Sequence, residues 1–431
     1  MQLSLYVAIL LFTSVSFLLP ILFWKSKKNI DFFIGLPMTI IAYIGGGLYF
    51  IDNAKKVYGI DDYTMEFYAI IMLIGTMVYL VFYTIGVSRN NYVSKKILNF
   101  ISFFWTQDRD LSYSYIRAGE FLAFLGIVCI GGSFIGMGFV PLFSENPMMA
   151  KYMAGEFQDI YRAYAVPYRM GLDVANIAIM LLALGVYCKP NIKGKLLDAS
   201  LIVILVLLLI GTMRRGIVVS GLVNIVFIFA AFKSKKKFSM IVFLYLLFFC
   251  FGSAANSIMF YLVGITDAVS IEDIFKGAPD IQDQLFFLQC WIDGHFDFTY
   301  GTNIIGGLIP FHSIYNLSAY TLAVTGSEAG VVASGGFRLT IPIISFIMFG
   351  WIGIVVVCGI VAYIQGVSLQ IKKKYLASCS LIDYFTFVAL IKPFIALINS
   401  VAIGISIDTL FETILTMLVM IVCRYKVKLF A

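Results

Sequence analysis

Long apolar runs separated by short polar segments dominate this chain. Eleven runs are long enough to cross a bilayer core of about 30 Å, which takes roughly 20 residues of helix. Unpaired amide groups are costly inside a bilayer, so each run is expected to be helical. The pattern predicts an all-α polytopic integral membrane protein with about 11 transmembrane helices (10–12), forming one domain over residues 1–431. The runs lie at residues 3–24, 32–51, 66–87, 118–138, 171–188, 196–212, 216–232, 239–262, 340–364, 384–405 and 409–423.

Composition agrees with this prediction and excludes several classes of function. Hydrophobic residues make up 61% of the 431 residues and charged residues 13%, whereas a soluble domain carries about 25% charged residues. Basic segments beside anionic lipid explain the net charge of +7 without a nucleic-acid partner. The seven cysteines are scattered and form no CxxC, so neither a disulfide framework nor a zinc site is indicated.

Basic residues predict the orientation of the helices. Most of the 31 lysines and arginines fall in segments that an outside N-terminus would place inside, such as 233–237 and 372–374. By the positive-inside rule, we expect the N-terminus outside and the C-terminus in the cytoplasm. No basic residue precedes the first run, so we interpret it as a transmembrane helix and not as a cleaved signal peptide.

Two predicted outside loops are long enough to hold a functional site. The larger spans residues 265–338 and contains both histidines and eight of the 24 acidic residues. The smaller spans residues 139–170. Within the larger loop, residues 281–292 have the mixed apolar, aromatic and acidic character of a helix lying on the membrane surface. We therefore expect the function to reside at the outside face.

Arginines in the outside segments are the first candidate ligand-binding residues. Arg214 and Arg215 occupy the turn between two runs, where arginine is costly and usually depleted. A guanidinium binds phosphate oxygens in bidentate fashion, so this turn suits a pyrophosphate, although a pair of headgroup anchors is the alternative. Arg162, Arg169 and Arg338 lie in or beside the long loops. They would converge on the same anion, or act as interface anchors and ion-pair partners.

The two histidines are the candidate general bases. His295 lies between Asp293 and Asp297, and a histidine flanked by carboxylates can accept a proton near neutral pH. A surface histidine without a role is the alternative interpretation. His312 follows a short apolar segment and is considered on equal terms. Two histidines and scattered acids do not form a strong metal site, and we predict none.

Three charges lie within or beside the apolar runs near the C-terminus. Lys392 and Glu412 fall inside runs, and Asp408 lies at the outer end of the last one. Intramembrane charges indicate a function by default. An ion pair, a proton path and part of an active cavity all fit, and the sequence does not decide among them.

Four short motifs resemble one known family, the oligosaccharide repeat-unit polymerases of bacterial O-antigen and capsule assembly (the Wzy type). The resemblance covers roughly residues 118–365. The acidic residue often found shortly before the family's F-G pair is absent here. The motifs are Gly136-Met-Gly-Phe-Val-Pro141-Leu142-Phe143, the turn Gly211-Thr-Met-Arg214-Arg215-Gly216, the stretch from Tyr300-Gly301-Thr302 to Ile309-Pro310, and Phe349-Gly350-Trp-Ile-Gly353.

The resemblance implies a GT-C-like integral membrane glycosyltransferase in the bacterial inner membrane, with a large periplasmic loop and a periplasmic active site. It would move a growing glycan from undecaprenyl pyrophosphate onto the next lipid-linked unit. Its partners would be membrane lipid, a flippase and a chain-length co-polymerase. The leaving group is already activated, so no metal or cofactor is needed, and arginines would stabilise the pyrophosphate. The residue roles are Arg214, Arg215 and His312 or His295 in catalysis, and Arg169, Arg162, Arg338 and Tyr300 in substrate binding.

Three other functions fit the same sequence. An O-antigen ligase uses the same donor and a similar architecture. A polyprenyl-monophosphate-sugar transferase would use Asp61 or Asp62 of the first outside loop, although these are more simply solvated loop acids. A lipid-linked glycan flippase or transporter would account for the intramembrane charges. Transporters, however, usually have short loops and internal repeats, and the sequence shows neither.

Overall fold

The computed structural model describes residues 2–23, 59–88, 109–213, 281–309, 315–326, 336–376 and 381–430, with a few single residues between them. Within these ranges the chain is helical and has no strand, which confirms the all-α prediction. Several predictions lie outside the described residues. These are the roles of Arg214, Arg215 and His312, and the runs at 32–51, 216–232 and 239–262.

Several consecutive helices of the described residues are joined by short connections. A 3₁₀ turn at Pro141–Phe143 precedes α4, and π-helical turns at Ile354–Cys358 and Phe387–Ile391 join α10 to α11 and α12 to α13. The helices are α1 (Gln2–Phe23), α2 (Asp62–Val87), α3 (Arg109–Met137), α4 (Pro147–Tyr152), α5 (Glu156–Cys188), α6 (Ile192–Gly211), α7 (Ile281–Asp293), α8 (Thr302–Gly306), α9 (Leu317–Val324), α10 (Ile341–Gly353), α11 (Gly359–Leu376), α12 (Leu381–Thr386), α13 (Lys392–Ser400) and α14 (Ile407–Phe430).

Five helical stretches of the described chain are long and apolar enough to cross a membrane. Each overlaps a predicted run, so the chain has the helices of a membrane protein. We call the end of the bundle where α2 and α5 begin the outer end, because the charge bias predicts that it faces outside. The stretches are Asp62–Val87, Ser112–Phe143, Glu156–Cys188, Ile192–Gly211 and Ile341–Lys373.

Helix α5 is the central helix of one half of the bundle. It begins at Glu156, well before the predicted residue 171, and Glu156 and Asp159 in its first turn favour a helix start there. Residues 177–184 are all buried, and α5 packs against α3, α6 and α14. Much of the smaller outside loop is therefore helix.

The ninth predicted run, 340–364, is not one continuous helix. Phe349 (φ −146°, ψ 24°) and Gly350 (φ 63°, ψ −144°) interrupt it. A Cβ on Gly353 would overlap the carbonyl oxygen of Ser345, whereas a straight helix would separate these residues by about 12 Å. The chain therefore folds into a helical hairpin, and the predicted helix over 340–364 is not continuous.

Contacts with α2 give the direction of the hairpin. A Cβ on Gly75 would lie 2.5 Å from Cγ of Pro342, and the Sγ of Cys358 lies 3.7 Å from the Gly75 carbonyl oxygen. Phe346 contacts Phe67, two turns nearer the start of α2, with ring centroids 5.2 Å apart. Residues 341–348 thus run back toward the outer end as a re-entrant arm. The residues from 351 to 376 supply the span, at about 39 Å.

A buried ion cluster joins three helices at the opposite end. The Nζ of Lys189 lies 2.5 Å from Oε1 of Glu120 on α3 and 2.8 Å from Oδ1 of Asp198 on α6. Asp198 is 0% exposed. A charge buried in a low-dielectric bundle is costly without its counter-ion, so Lys189 stabilises the packing of α3, α5 and α6.

Loss of Lys189 should destabilise the bundle. We expect Lys189→Met to lower the free energy of unfolding by roughly 3–5 kcal/mol, because it leaves a buried carboxylate without its partner. The melting temperature of the detergent-purified protein measures this. Lys193→Met, at an exposed position of the same segment, is the control. Adding Asp198→Asn to Lys189→Met should restore part of the loss; no restoration would contradict the ion-cluster explanation.

Candidate functional site

The loop after α7 docks onto the interruption in α10. The amide of Thr299 donates to the carbonyl of Ile347 at 2.8 Å, and the amide of Tyr300 donates to that of Met348 at 3.1 Å. The hairpin turn removes the usual helical partners of these carbonyls, and buried backbone groups need replacements. The Tyr300-Gly301 motif and the Phe349-Gly350 motif are therefore in direct contact.

The other side of this loop is bonded to the turn between α13 and α14. The side-chain amide of Asn303 donates to the carbonyl of Ile403 at 2.9 Å. The amide of Ile405 donates to the carbonyl of Ile304 at 2.8 Å, and that of Ile407 donates to Gly307 at 3.1 Å. Residues 299–307, which we call the bridging loop, thus connect the re-entrant arm to the start of α14.

Tyr300 presents its ring from a strained backbone. Its φ is +47° and the residue is 68% exposed. Such a conformation is uncommon for a residue other than glycine, and strain of this kind clusters at functional sites. Beside it, a Cβ on Gly301 would lie 3.2 Å from Cζ of Phe349. The exposed ring is available to a ligand, and the role of Tyr300 in substrate binding stays a prediction.

His295 also has a positive φ, of +47°, but a simpler cause explains it. Its amide donates to the carbonyl of Ile292 at 3.1 Å, in the turn that ends α7. Helices commonly end with one residue in this left-handed conformation. His295 is exposed. The local geometry is that of a helix terminus, and it provides no specific support for a catalytic role.

Helix α7 confirms the predicted helix at 281–292, but protein covers its apolar face. Leu285, Phe287 and Leu288 are each 0% exposed. Gln284 accepts a hydrogen bond from the hydroxyl of Tyr68 on α2 at 2.8 Å. The helix is therefore docked on the outer end of the bundle, where it supports the bridging loop that follows it.

Asp61 caps α2. Its Oδ1 accepts from the amide of Thr64 at 2.6 Å, and its own amide donates to Oε1 of Gln289 on α7 at 3.1 Å. Burial alone would raise the pKa of Asp61, but hydrogen bonds from Thr64 and Gln289 bring it below the usual value. This structural role accounts for Asp61 without catalysis.

Arg169 is the centre of a charged cluster inside the outer end of the bundle. It is half-buried on α5, and its Nε donates to the hydroxyl of Tyr161 at 3.0 Å. The carboxylates of Asp173 and Asp408 lie within electrostatic range of its guanidinium. Two residues further along, Gly171 packs closely against α3. The side chain therefore projects from a part of α5 that is packed against α3.

The same cluster continues along α14. Glu412 interacts electrostatically with Asp408, one turn before it, and with Lys392 at the start of α13. The hydroxyl of Thr413 donates to the carbonyl of Pro393 at 3.2 Å, which holds Lys392 and Glu412 at the same level. The three C-terminal charges that the sequence left unassigned are therefore part of one cluster with Arg169.

Arg162 and Arg338 have different surroundings from Arg169. Arg162 forms an ion pair with Asp159 at 3.2 Å, with side chains 52% and 86% exposed, and such surface pairs contribute little. Arg338 is exposed in the segment that leads into α10. The structure therefore places Arg169, and not Arg162, inside the bundle.

Comparison with known proteins supplies no family. No protein-family model, curated protein or solved structure matches this chain. Among the described residues, no group of three or more histidine, cysteine, aspartate or glutamate side chains could hold a metal ion.

Two features of the site were missed by the sequence analysis. Tyr161 precedes Arg169 by eight residues, about two helical turns, so both lie on one face of a helix. The sequence analysis missed this pair because it predicted that the helix begins only at residue 171. The re-entrant arm was missed because its residues are uniformly apolar. The glycine of the Phe349-Gly350 pair was the one signal in the sequence that the helix could be interrupted there.

Alanine at Gly350 should disrupt the site. Its backbone angles favour glycine, and an added Cβ would lie 3.2 Å from Cζ of Phe298. We expect Gly350→Ala to cost roughly 1–3 kcal/mol in free energy of unfolding, measured by thermal melting in detergent. Gly131→Ala is the matched control, because an added methyl group meets nothing within 4 Å there. Equal melting temperatures for the two variants would contradict the assigned turn.

Proposed function

We propose that this protein is a GT-C-like glycosyltransferase with about eleven spans. It polymerises undecaprenyl-pyrophosphate-linked repeat units into O-antigen or capsular polysaccharide at the periplasmic face of the bacterial inner membrane. Its partners are membrane lipid, a flippase and a chain-length co-polymerase. The proposal begins from the motif resemblance. The observation that carries it is the half-buried Arg169, whose guanidinium is oriented by Tyr161.

A preorganised guanidinium suits a pyrophosphate leaving group. The hydrogen bond to Tyr161 uses the Nε of Arg169, so the terminal nitrogens, which form the planar fork, would bind phosphate oxygens. A donor fixed before the reaction stabilises the charge that develops as the sugar–phosphate bond breaks. In this proposal Arg214, Arg215 and Arg338 also bind the pyrophosphate.

The bridging loop supports a glycan site at the same end. Two of the motifs that carry the resemblance, Tyr300-Gly301 and Phe349-Gly350, are held together by backbone hydrogen bonds. The exposed ring of Tyr300 provides an apolar face for a sugar ring. The same loop is bonded to the start of α14, beside Asp408, so glycan and pyrophosphate would be bound close together.

One observation favours a second candidate, a transporter or flippase of lipid-linked glycans. Transporters commonly contain discontinuous helices that end near the bilayer midplane. The arm at residues 341–348 begins beside Gly75, near the middle of α2. A transporter would move lipid-linked units between leaflets without lengthening them, so product analysis separates the two functions. The ligase alternative predicts long chains that stay unattached when the gene is lost.

Deletion of the gene, followed by electrophoresis of the cell-surface polysaccharide, tests the proposal. We expect the ladder of chain lengths to collapse to core plus a single repeat unit. Complete loss of attached units would contradict a polymerase and favour the ligase or the flippase. Accumulation of lipid-linked units in the inner leaflet would then identify the flippase.

Complementation with arginine variants tests the site. Arg169→Ala should abolish the ladder, and Arg169→Lys should restore little, because lysine lacks the bidentate fork. Arg162→Ala should have a smaller effect, since its side chain is engaged at the surface. Arg117→Ala, at an exposed position of α3, is the control for expression. A normal ladder with Arg169→Ala at equal protein amount would refute the assigned pyrophosphate site.

A further inference from the structure

The N-terminal turn of α14 is fixed from two sides at the outer end. The amide of Ile407 donates to Gly307 of the bridging loop at 3.1 Å. The hydroxyl of Ser406 accepts from the amide of Thr409 at 3.1 Å, which caps the helix. Asp408 lies between these two anchored positions and is half-buried. The backbone of Asp408 is therefore fixed at the start of α14, next to the bridging loop and one turn before Glu412.

Asp408 interacts electrostatically with Arg169 and Glu412, which in turn interact with Asp173 and Lys392 respectively. Arg169 and Asp173 are contributed by α5, Lys392 by α13, and Glu412 by α14 itself. Neither residues 121–137 of α3, nor the π-helical turn at 387–391, nor the bridging loop contains a charged residue. This group of five side chains carries two positive and three negative charges when fully ionised.

We propose that Asp408 is the carboxylate that accepts the proton of the acceptor hydroxyl, an assignment that depends on the proposed transferase function. The base must lie beside the acceptor oxygen as it attacks the anomeric carbon. That carbon is bonded to the pyrophosphate, which in this proposal lies on Arg169. Asp408 is within electrostatic range of Arg169 and next to the bridging loop, whereas His295 occupies an exposed helix terminus.

The step balances without a metal or a redox partner. The acceptor oxygen forms a bond to the anomeric carbon, and the bond from that carbon to the pyrophosphate oxygen breaks. The electron pair of the broken bond leaves with undecaprenyl pyrophosphate, beside Arg169. The proton of the acceptor hydroxyl passes to a carboxylate oxygen of Asp408. It is then released to water, which restores the ionised carboxylate for the next unit.

An isosteric variant tests this assignment. Asp408→Asn keeps the shape of the side chain and removes the proton acceptor. In the purified full-length protein, supplied with lipid-linked repeat units, we expect kcat to fall roughly 10²–10⁴-fold. Asp408→Glu keeps a carboxylate and should recover part of the rate. Asp159→Asn removes an exposed carboxylate of α5 that is ion-paired at the surface, and it should leave kcat unchanged.

A binding measurement separates catalysis from a structural ion pair with Arg169. Undecaprenyl pyrophosphate in detergent micelles is the probe, and the rise it causes in melting temperature is the readout. A base predicts that Asp408→Asn keeps this rise while kcat falls. A structural partner predicts that the rise is lost and that Asp408→Glu does not recover the rate, and that result would overturn the proposal.

Failure of this assignment can be distinguished from failure of the proposed function. If Asp408→Asn polymerises at the wild-type rate while Arg169→Ala does not, Asp408 is not the base and the transferase proposal stands. If the wild-type protein binds lipid-linked units but never lengthens them, the transferase proposal itself is refuted, and the assignment of Asp408 with it.

Discussion

Two backbone hydrogen bonds, from Thr299 and Tyr300 to the carbonyls of Ile347 and Met348, hold the outer end of this protein together. A helix interrupted within a bilayer exposes carbonyl groups that lipid cannot satisfy, so such interruptions occur where protein covers them. Here the bridging loop provides that cover. These two hydrogen bonds replace the helical ones that the hairpin turn removes. They join the segment after α7, which includes Tyr300, to the re-entrant arm.

Aromatic packing stabilises the turn of the hairpin. Phe346 and Trp351 lie on opposite sides of the interruption, with ring centroids 5.2 Å apart, and Phe67 of α2 contacts both. Trp291 of α7 adds a further edge contact to Phe346 and donates a hydrogen bond to Tyr320. Helix α7, the hairpin and α2 therefore form one packed unit, to which the bridging loop is hydrogen-bonded.

Charge is placed at both ends of the bundle in different ways. At the inner end, Lys189 lies between Glu120 and Asp198 at hydrogen-bonding distance, as expected of a cluster that stabilises packing. At the outer end, Arg169 donates a hydrogen bond to Tyr161 and interacts electrostatically with Asp173 and Asp408. Our proposal assigns the ligand to the outer cluster, because there the Nε of Arg169 is held by a neutral hydroxyl and not by a carboxylate.

The sequence by itself determined that this is an all-helical membrane protein, because bilayer thickness and the need to satisfy backbone groups leave a run such as 66–87 no other form. It also indicated the helix at 281–292 and included Arg169 and Tyr300 among eight candidate site residues. Only the tertiary structure decided which distant residues meet. The hairpin at Phe349-Gly350, the capping role of Asp61 and the cluster of Arg169 with Asp408, Glu412 and Lys392 depend on contacts between helices far apart in the chain. Hydropathy cannot encode such contacts, because an apolar residue facing lipid and one facing another helix look alike.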